Sequence, residues 1–217
     1  MRIVGRSAWS ARPPKSRREI PTPTARLWVH HSASEWHGPL GVRQTQAFHM
    51  DTRGWSDIAY SFLVDDDGTV YEGRGAGVAG SHTAGDNSSS HAICAMGNFD
   101  MRRPPRALVE SIARLAANGR AQGWWGEITG GHRDAKDAQT ACPGRHLYAA
   151  IPDIRALTTT SNEGDDMTPQ QDEWLGRIHH ELVAEQESVR ELVAQSAYRT
   201  AVLEQKVDRL IAAVEGR

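Results

Sequence analysis

The sequence predicts an α/β domain built on a mixed central β-sheet flanked by helices, followed by a long C-terminal helix that forms a coiled coil. Short apolar runs typical of strands alternate with segments in which apolar residues recur at helical spacing. Two of the β-rich runs lie on either side of an Asp-Gly turn, which is typical of a hairpin. Helices that interleave with strands, together with one hairpin, favour an α/β domain on a mixed sheet.

The first half of the domain supplies a buried strand, a helix and the hairpin. Residues 26–32, RLWVHHS, form a short apolar run with a polar exit, which indicates a buried strand. Residues 41–54 carry apolar side chains at helical spacing and end at Gly54, which predicts a helix that stops there. The runs at 58–64 and 69–74 flank the turn DDDG and predict the two hairpin strands.

The second half supplies another strand and two more helices. The apolar run at 91–99, HAICAMGNF, predicts a central strand. Residues 104–123 begin with proline near the first turn and place their leucines and isoleucine on one face, which predicts a helix. A last short helix is expected from Pro143 to about Leu157.

Composition excludes several classes of protein. The chain has 217 residues, of which 39% are hydrophobic and 24% charged, as in an ordinary soluble globular protein. It contains no apolar run of about 18 residues, so we expect no membrane insertion, and the basic N-terminus lacks the apolar stretch of a secretory signal. A net charge of −2 gives no basis for nucleic-acid binding, and two cysteines cannot form a disulfide scaffold.

Charge and composition divide the chain near residue 160. Before Glu163, 19 basic and 15 acidic residues give a net charge of +4, whereas from Glu163 onward 6 basic and 12 acidic residues give −6. Residues 158–169 are small, polar and helix-breaking, as in a linker. We therefore predict a folded domain at 1–157, a linker at 158–172 and a helical segment at 173–217.

Three places in the domain carry residues that can bind a metal. His30 and His31 end a predicted strand, His132 lies in GGHRD, and Cys142 lies in TACPG. A catalytic zinc site needs three protein ligands and an open position for water, and two imidazoles with one thiolate meet that count. His132 and Cys142 are ten residues apart on one loop and can converge. A single histidine or cysteine is more often a packing residue, so the residues alone leave the metal site open.

A series of motifs along the domain identifies a family. In order they are RSAWSARPP, LWVHHSAS, FHMDTRGWSDIAYSFLVDDDGTVYEGRG, GSHTAG, AICAMGNF, GHRD and TACPG. From about Arg6 to Leu157 the chain resembles the type 2 N-acetylmuramoyl-L-alanine amidases, a zinc amidase family that includes peptidoglycan recognition proteins and many phage endolysins. Each motif is weak by itself, but their shared order makes the resemblance specific.

The resemblance implies a zinc ion and its ligands. His30, the first histidine of HHSAS, matches the first ligand, while His132 of GHRD and Cys142 of CPG match the second and third. His31 points to the opposite face of the strand from His30. The ten-residue spacing between His132 and Cys142 exceeds the eight of many members, which indicates a small insertion within AKDAQT.

The resemblance also implies residues around the zinc site. Tyr60 of DIAYSF matches an active-site tyrosine whose hydroxyl lies near the water on the metal. Thr140, two residues before the cysteine ligand, occupies a position that holds lysine in some members and threonine in others. Tyr60 and Thr140 are therefore the candidate donors to a developing oxyanion. His82 of GSHTAG and His31 are expected to contact the substrate.

The implied function is Zn²⁺-dependent hydrolysis of bacterial peptidoglycan at the amide between the lactyl group of N-acetylmuramic acid and L-alanine. A non-catalytic peptidoglycan-binding module is the alternative, and Cys142 with Tyr60 favours the enzyme because members that only bind lack the cysteine ligand. Regulation of a polymerase, known for one phage relative, leaves no trace in the residues. The lack of a signal peptide fits a phage endolysin that stays in the host cytoplasm until a holin releases it to the wall.

The segment at 173–217 carries a seven-residue repeat, which the resemblance does not cover. Two sets of positions, four residues apart, are apolar at eight of their twelve members: Leu175, Leu182, Val189, Ser196, Leu203 and Leu210, then His179, Gln186, Val193, Thr200, Val207 and Val214. Leucine in the first set and valine in the second favour a two-stranded parallel coiled coil, and the polar members leave a higher oligomer open. Packing of this stripe on the domain, or binding to the cell wall, are the alternatives to self-association.

Overall fold

The computed structural model describes residues 1–160 of the chain. The strands are β1 (Ile3–Val4), β2 (Arg26–His31), β3 (Phe62–Val64), β4 (Val70–Glu72), β5 (Ser90–Ala95) and β6 (Ile128–Gly131), and the helices are α1 (Gly38–Ala47), α2 (Arg106–Ala121) and α3 (Arg145–Thr160). A π-helical turn at Phe48–Thr52 continues α1, and a 3₁₀ turn at His132–Asp134 follows β6. The predicted coiled coil at 173–217, and the predicted linker beyond residue 160, lie outside the described residues.

The six strands form one mixed sheet in the order β1-β4-β3-β5-β2-β6. Strands β3 and β4 are antiparallel and form the predicted hairpin, whereas the other neighbouring pairs are parallel. The hairpin turn closes with the Asp65 N–H bonded to the Thr69 carbonyl, and Gly68 within it has a φ of +85° that favours glycine. The predicted α/β fold on a mixed sheet is confirmed.

The sheet separates two apolar clusters. The larger one lies between the sheet and helices α2 and α3 and includes Val29 of β2, while the smaller one lies on the α1 side and includes Cys94 of β5. His30 pairs in register with Cys94, and neighbours in register share a face. His30 therefore lies on the α1 face, and His31 lies on the α2–α3 face.

Several elements differ in extent from the predictions, and two strands were not predicted: the helix predicted at 41–54 spans Gly38–Ala47 before the π-helical turn, and the strand predicted at 91–99 spans Ser90–Ala95. Helix α2 begins at Arg106 instead of 104, because Pro105 is extended and caps the helix from outside. Strands β1 and β6 were not predicted, since β1 has two residues and β6, ITGG, lacks an apolar alternation. Helix α3 continues to Thr160, past the predicted end at 157. Within residues 1–160, none of the helices has the length and apolar character to cross a membrane.

Candidate metal centre

The three predicted metal ligands come from three different segments that end at the same edge of the sheet. His30 lies near the carboxyl end of β2, and His132 opens the turn that follows β6. Because β2 and β6 are parallel, with Val29 paired to Gly131, the residues that follow the pair are neighbours in space. Cys142 reaches the same edge from the loop that leads into α3.

The side chains of these three residues converge. Their candidate ligand atoms all lie within 4.8 Å of one another. The Nδ1 of His30 is 3.5 Å from the Sγ of Cys142, and the rings of His30 and His132 have centroids 4.5 Å apart. Two imidazole nitrogens and one sulfur are ligands that zinc prefers, and three protein ligands leave a further coordination position open. The residues present therefore fit a catalytic zinc ion.

The environment of Cys142 also suits a cation. Burial raises the pKa of the Cys142 thiol to about 12, while the backbone N–H of His31 and the charge of Arg133 act in the opposite direction. A thiolate at this position is therefore unfavourable without a positive charge beside it. A bound divalent cation supplies that charge, so the buried thiol is consistent with a metal ligand.

The loop that carries Cys142 is tied to the turn that carries His132. The backbone N–H of Arg133 donates to the carbonyl of Cys142 at 3.0 Å, and the Nε of the same arginine lies 3.4 Å from that oxygen. The guanidinium also donates to the carbonyl of Ala141 and lies over the ring of Tyr148, 4.5 Å from its centroid. Arg133 thus ties the loop of Cys142 to the turn of His132, so these two candidate ligands stay close in space despite their long spacing in sequence.

The turn at His132 has a second support. The carboxylate of Asp134 accepts the N–H of Gly131 at 2.9 Å and the hydroxyl of Tyr148 at 2.7 Å. Tyr148 belongs to α3, so this helix fixes the residue that immediately precedes His132.

His31 contributes its backbone to the site but not its ring. The His31 N–H points at the Sγ of Cys142 across 3.4 Å. The ring is buried on the α2–α3 face, where Nδ1 accepts the N–H of Phe99 at 3.3 Å. The structure therefore does not bring the His31 imidazole to the cluster, where contact with substrate was expected.

Tyr60 lies beside the cluster on the α1 face. Its ring centroid is 5.4 Å from that of His30 and 5.6 Å from that of His49. Burial, together with Cys94 and Cys142, raises the pKa of Tyr60 well above its ordinary value. The phenol is therefore protonated at neutral pH and can donate a hydrogen bond, for which Cys94 is a partner within the protein.

Thr140 is exposed on the loop that carries Cys142. Its Oγ1 accepts the backbone N–H of Cys142 at 3.1 Å. This bond uses the oxygen as an acceptor and leaves the hydroxyl proton free to donate. Thr140 therefore contacts the backbone of a candidate ligand through its hydroxyl oxygen.

His82 also lies beside His30, in the segment between β4 and β5. The two rings are 5.4 Å apart in an edge-to-face arrangement. His82 is buried, and its Nε2 has no hydrogen-bond partner among the described residues. A Cβ at Gly80 would overlap the His82 ring, so this close approach requires glycine.

Sequence reasoning missed the groups that support the cluster. Thr83 places its hydroxyl 3.3 Å from His30 Nε2 and 3.0 Å from His82 Nδ1. Asn87 accepts the backbone N–H groups of His82 and Thr83 through its side-chain oxygen. The only local signal was the position of Thr83 within GSHTAG, and the sequence does not show that this segment meets β2.

Comparison with known proteins identifies a matching family model and several related proteins. The family model described as N-acetylmuramoyl-L-alanine amidase matches residues 21–145. Peptidoglycan-recognition protein LB of Drosophila melanogaster is 36% identical over 158 residues, covering 69% of this chain and 67% of the relative. Peptidoglycan recognition protein 1 of Bos taurus is 35% identical over 158 residues, covering 69% of this chain and 82% of the relative.

Solved structures agree with these matches. The structure of wild-type Drosophila PGRP-LB superposes with a TM-score of 0.64 at 35% identity, covering 69% of this chain and 92% of that one. Peptidoglycan recognition protein-LE, in complex with tracheal cytotoxin, a monomeric diaminopimelic acid-type peptidoglycan, gives a TM-score of 0.64 at 34% identity, covering 70% and 92%.

Proposed function

The chain belongs to the N-acetylmuramoyl-L-alanine amidase family, and from this membership we propose that it is a zinc-dependent peptidoglycan hydrolase. The bond cleaved is the amide between the lactyl group of N-acetylmuramic acid and the L-alanine of the stem peptide. The observation that carries the proposal is the convergence of His30, His132 and Cys142, whose candidate ligand atoms lie within 4.8 Å of one another.

His30, His132 and Cys142 are the residues that would hold the zinc ion. When bound, zinc in a site with three protein ligands supplies Lewis acidity and makes a water molecule nucleophilic near neutral pH. Backbone hydrogen bonds position Cys142: the His31 N–H donates to its sulfur, and the Arg133 N–H donates to its carbonyl. These contacts preorganise the site, so little reorganisation is needed when substrate arrives.

Tyr60 and Thr140 would stabilise the oxygen that gains charge as the amide carbonyl is attacked. Tyr60 is protonated at neutral pH, as an ordinary phenol is, and burial raises its pKa further; its ring lies 5.4 Å from that of His30. The Thr140 hydroxyl proton is free because its oxygen accepts the Cys142 N–H. A neutral hydroxyl at Thr140 gives a weaker donor than the lysine that some members carry.

Recognition of peptidoglycan without cleavage is the second candidate function. The matched relatives are named peptidoglycan recognition proteins, and one of them was solved with a peptidoglycan fragment bound. This candidate does not need a metal. The thiol of Cys142, held beside His30, has no role in a protein that only binds, and this favours the enzyme.

Incubation with insoluble peptidoglycan separates the two candidates. An amidase releases soluble stem peptides from the wall. A recognition protein sediments with the wall and releases no peptide. We expect the wild-type chain to release peptides and Cys142→Ser to release none. Persistent cosedimentation of wild-type protein with zinc supplied, without any released peptide, would favour recognition and contradict the amidase.

A further inference from the structure

The hydroxyl of Thr83 lies between two histidines and cannot serve both in the same way. Thr83 is almost fully buried, and its Oγ1 lies 3.3 Å from His30 Nε2 and 3.0 Å from His82 Nδ1. A threonine hydroxyl has one proton, so it donates a hydrogen bond to one of these nitrogens and accepts a hydrogen bond from the N–H of the other ring. The direction of this pair of bonds decides which nitrogen of each ring is protonated.

The other nitrogen of His30 settles the direction. Nδ1 of His30 faces Cys142 Sγ at 3.5 Å, on the side where the candidate ligand atoms converge. A nitrogen that binds a metal has no proton, so the proton of neutral His30 lies on Nε2. His30 therefore donates to Thr83, and Thr83 donates its own proton to Nδ1 of His82.

The direction of these hydrogen bonds also determines which nitrogen of His82 is protonated. Because Nδ1 of His82 accepts from Thr83, the neutral His82 ring carries its proton on Nε2. That nitrogen has no hydrogen-bond partner within residues 1–160. The Nε2–H of His82 is a buried donor that lacks an acceptor among these residues, and this nitrogen cannot take a proton as a general base.

The segment that carries Thr83 is held in place by its own contacts. Oδ1 of Asn87 accepts the N–H of His82 at 2.7 Å and the N–H of Thr83 at 2.9 Å. The His82 ring also packs on the backbone of Gly80, where a side chain would not fit. Thr83 is thus presented to His30 by a preformed turn.

We propose that Thr83 is a positioning residue that sets the protonation of both histidines, so that His30 presents Nδ1 to the metal and His82 is kept as an Nε2–H donor. The inference rests on the proposed function for the identity of the metal. It adds a group that supports a ligand and assigns a donor role to His82.

The variants Thr83→Val and Thr83→Ser test the proposal, with Thr45→Val as the matched control. Valine keeps the shape and removes the hydroxyl, whereas serine keeps the hydroxyl. Thr45 is also buried, at 4% exposed against 1% for Thr83, and its hydroxyl donates to the Gly41 carbonyl within α1 and to none of the candidate ligands. Zinc affinity is measured by competition with a chelator, and long-range ¹H–¹⁵N spectra of the zinc-loaded protein report which ring nitrogens are protonated.

We expect Thr83→Val to weaken zinc binding by about 10–100-fold, as for other groups that support a metal-ligating histidine. Thr83→Ser and Thr45→Val should stay close to wild type, and wild-type spectra should show protonated Nε2 on both His30 and His82. Wild-type zinc affinity in a folded Thr83→Val protein would overturn the proposal. So would a wild-type spectrum with the proton on Nδ1 of either ring, and this measurement does not depend on the folding of any variant.

The outcome for the proposed amidase is read separately. If wild-type protein binds zinc with the expected protonation pattern but releases no peptide from peptidoglycan, the amidase proposal fails and the role of Thr83 stands. If wild-type protein releases peptide and Thr83→Val binds zinc normally, the amidase stands and the role of Thr83 fails.

Discussion

The backbone N–H of His31 lies 3.4 Å from the sulfur of Cys142, while the ring of the same residue is buried on the opposite face of β2 beside Phe99. The two adjacent histidines, His30 and His31, therefore have different roles. His30 offers a ring nitrogen to the cluster, and His31 supports the sulfur with its main chain. The alternation of side chains along a strand is the cause of this division.

Zinc content is the first prediction. The purified chain should hold about one zinc per molecule, and Cys142→Ser should lose most of it, because a serine hydroxyl does not ionise to replace the thiolate. Cys94→Ala is the matched control, since it removes the other thiol of the chain and should keep the metal. Metal analysis after dialysis measures both, and a Cys142→Ser protein with full zinc content would contradict the ligand assignment.

Tyr60→Phe should lower kcat by about 100-fold or more with little change in KM, because a donor to the developing oxyanion acts only in the transition state. Steady-state kinetics on a soluble muramyl peptide measure the two constants. The reverse pattern, a raised KM with kcat unchanged, would mean that Tyr60 binds the ground state instead.

Arg133→Ala should destabilise the fold by about 1–2 kcal/mol, because the guanidinium bonds to the carbonyls of Ala141 and Cys142 are lost. Arg120→Ala is the control, since its pair with Glu127 lies at the surface and is expected to be worth about 0–1 kcal/mol. Urea unfolding measures both. Equal losses in the two variants would show that Arg133 does not secure the Cys142 loop.

Stability should fall below neutral pH, in part through His91. This ring is fully buried, accepts the N–H of Gly77 at 2.9 Å, and lies 2.8 Å from the Thr24 hydroxyl. Burial lowers the pKa of His91 to about 4. The unfolded chain binds the proton first, so the contribution is complete above about pH 6.5 and is lost as the pH falls toward 4.

For His91 alone that loss amounts to about 3 kcal/mol. Urea unfolding at pH 7 and pH 4 measures the total loss of stability, to which His91 contributes. The variant His91→Gln retains an acceptor and a donor but does not titrate, so its stability should depend less on pH. A pH dependence identical to that of the wild type would remove His91 as a cause.

The sequence predicted the residues of the cluster but not what surrounds them. His30, His132 and Cys142 were found through motifs, because the chemistry of a metal site restricts residue type. Thr83 and Arg133 act through hydrogen bonds to groups that are close in space. No local pattern marks a threonine as the neighbour of a histidine 53 residues away.

The fold was predicted where periodicity was strong and missed where it was weak. Helix α2 and the hairpin follow from apolar spacing and from the Asp-Gly turn. Strand β6 was missed because glycines occupy two of its four positions, and its place at the sheet edge depends on pairing with β2. His31 was expected to contact the substrate, whereas its ring accepts the N–H of Phe99 on the face of β2 opposite to the candidate ligands.

The measurement that bears most directly on the central claim is the identity of the bond that is broken. Mass spectrometry of a peptidoglycan digest should show intact stem peptides with a free L-alanine amine, together with glycan chains that carry unsubstituted lactyl carboxylates. The release should stop with a chelator and return when zinc is added. Stem peptides that stay attached to glycan in a digest with zinc-loaded protein, or release that a chelator does not affect, would contradict the account.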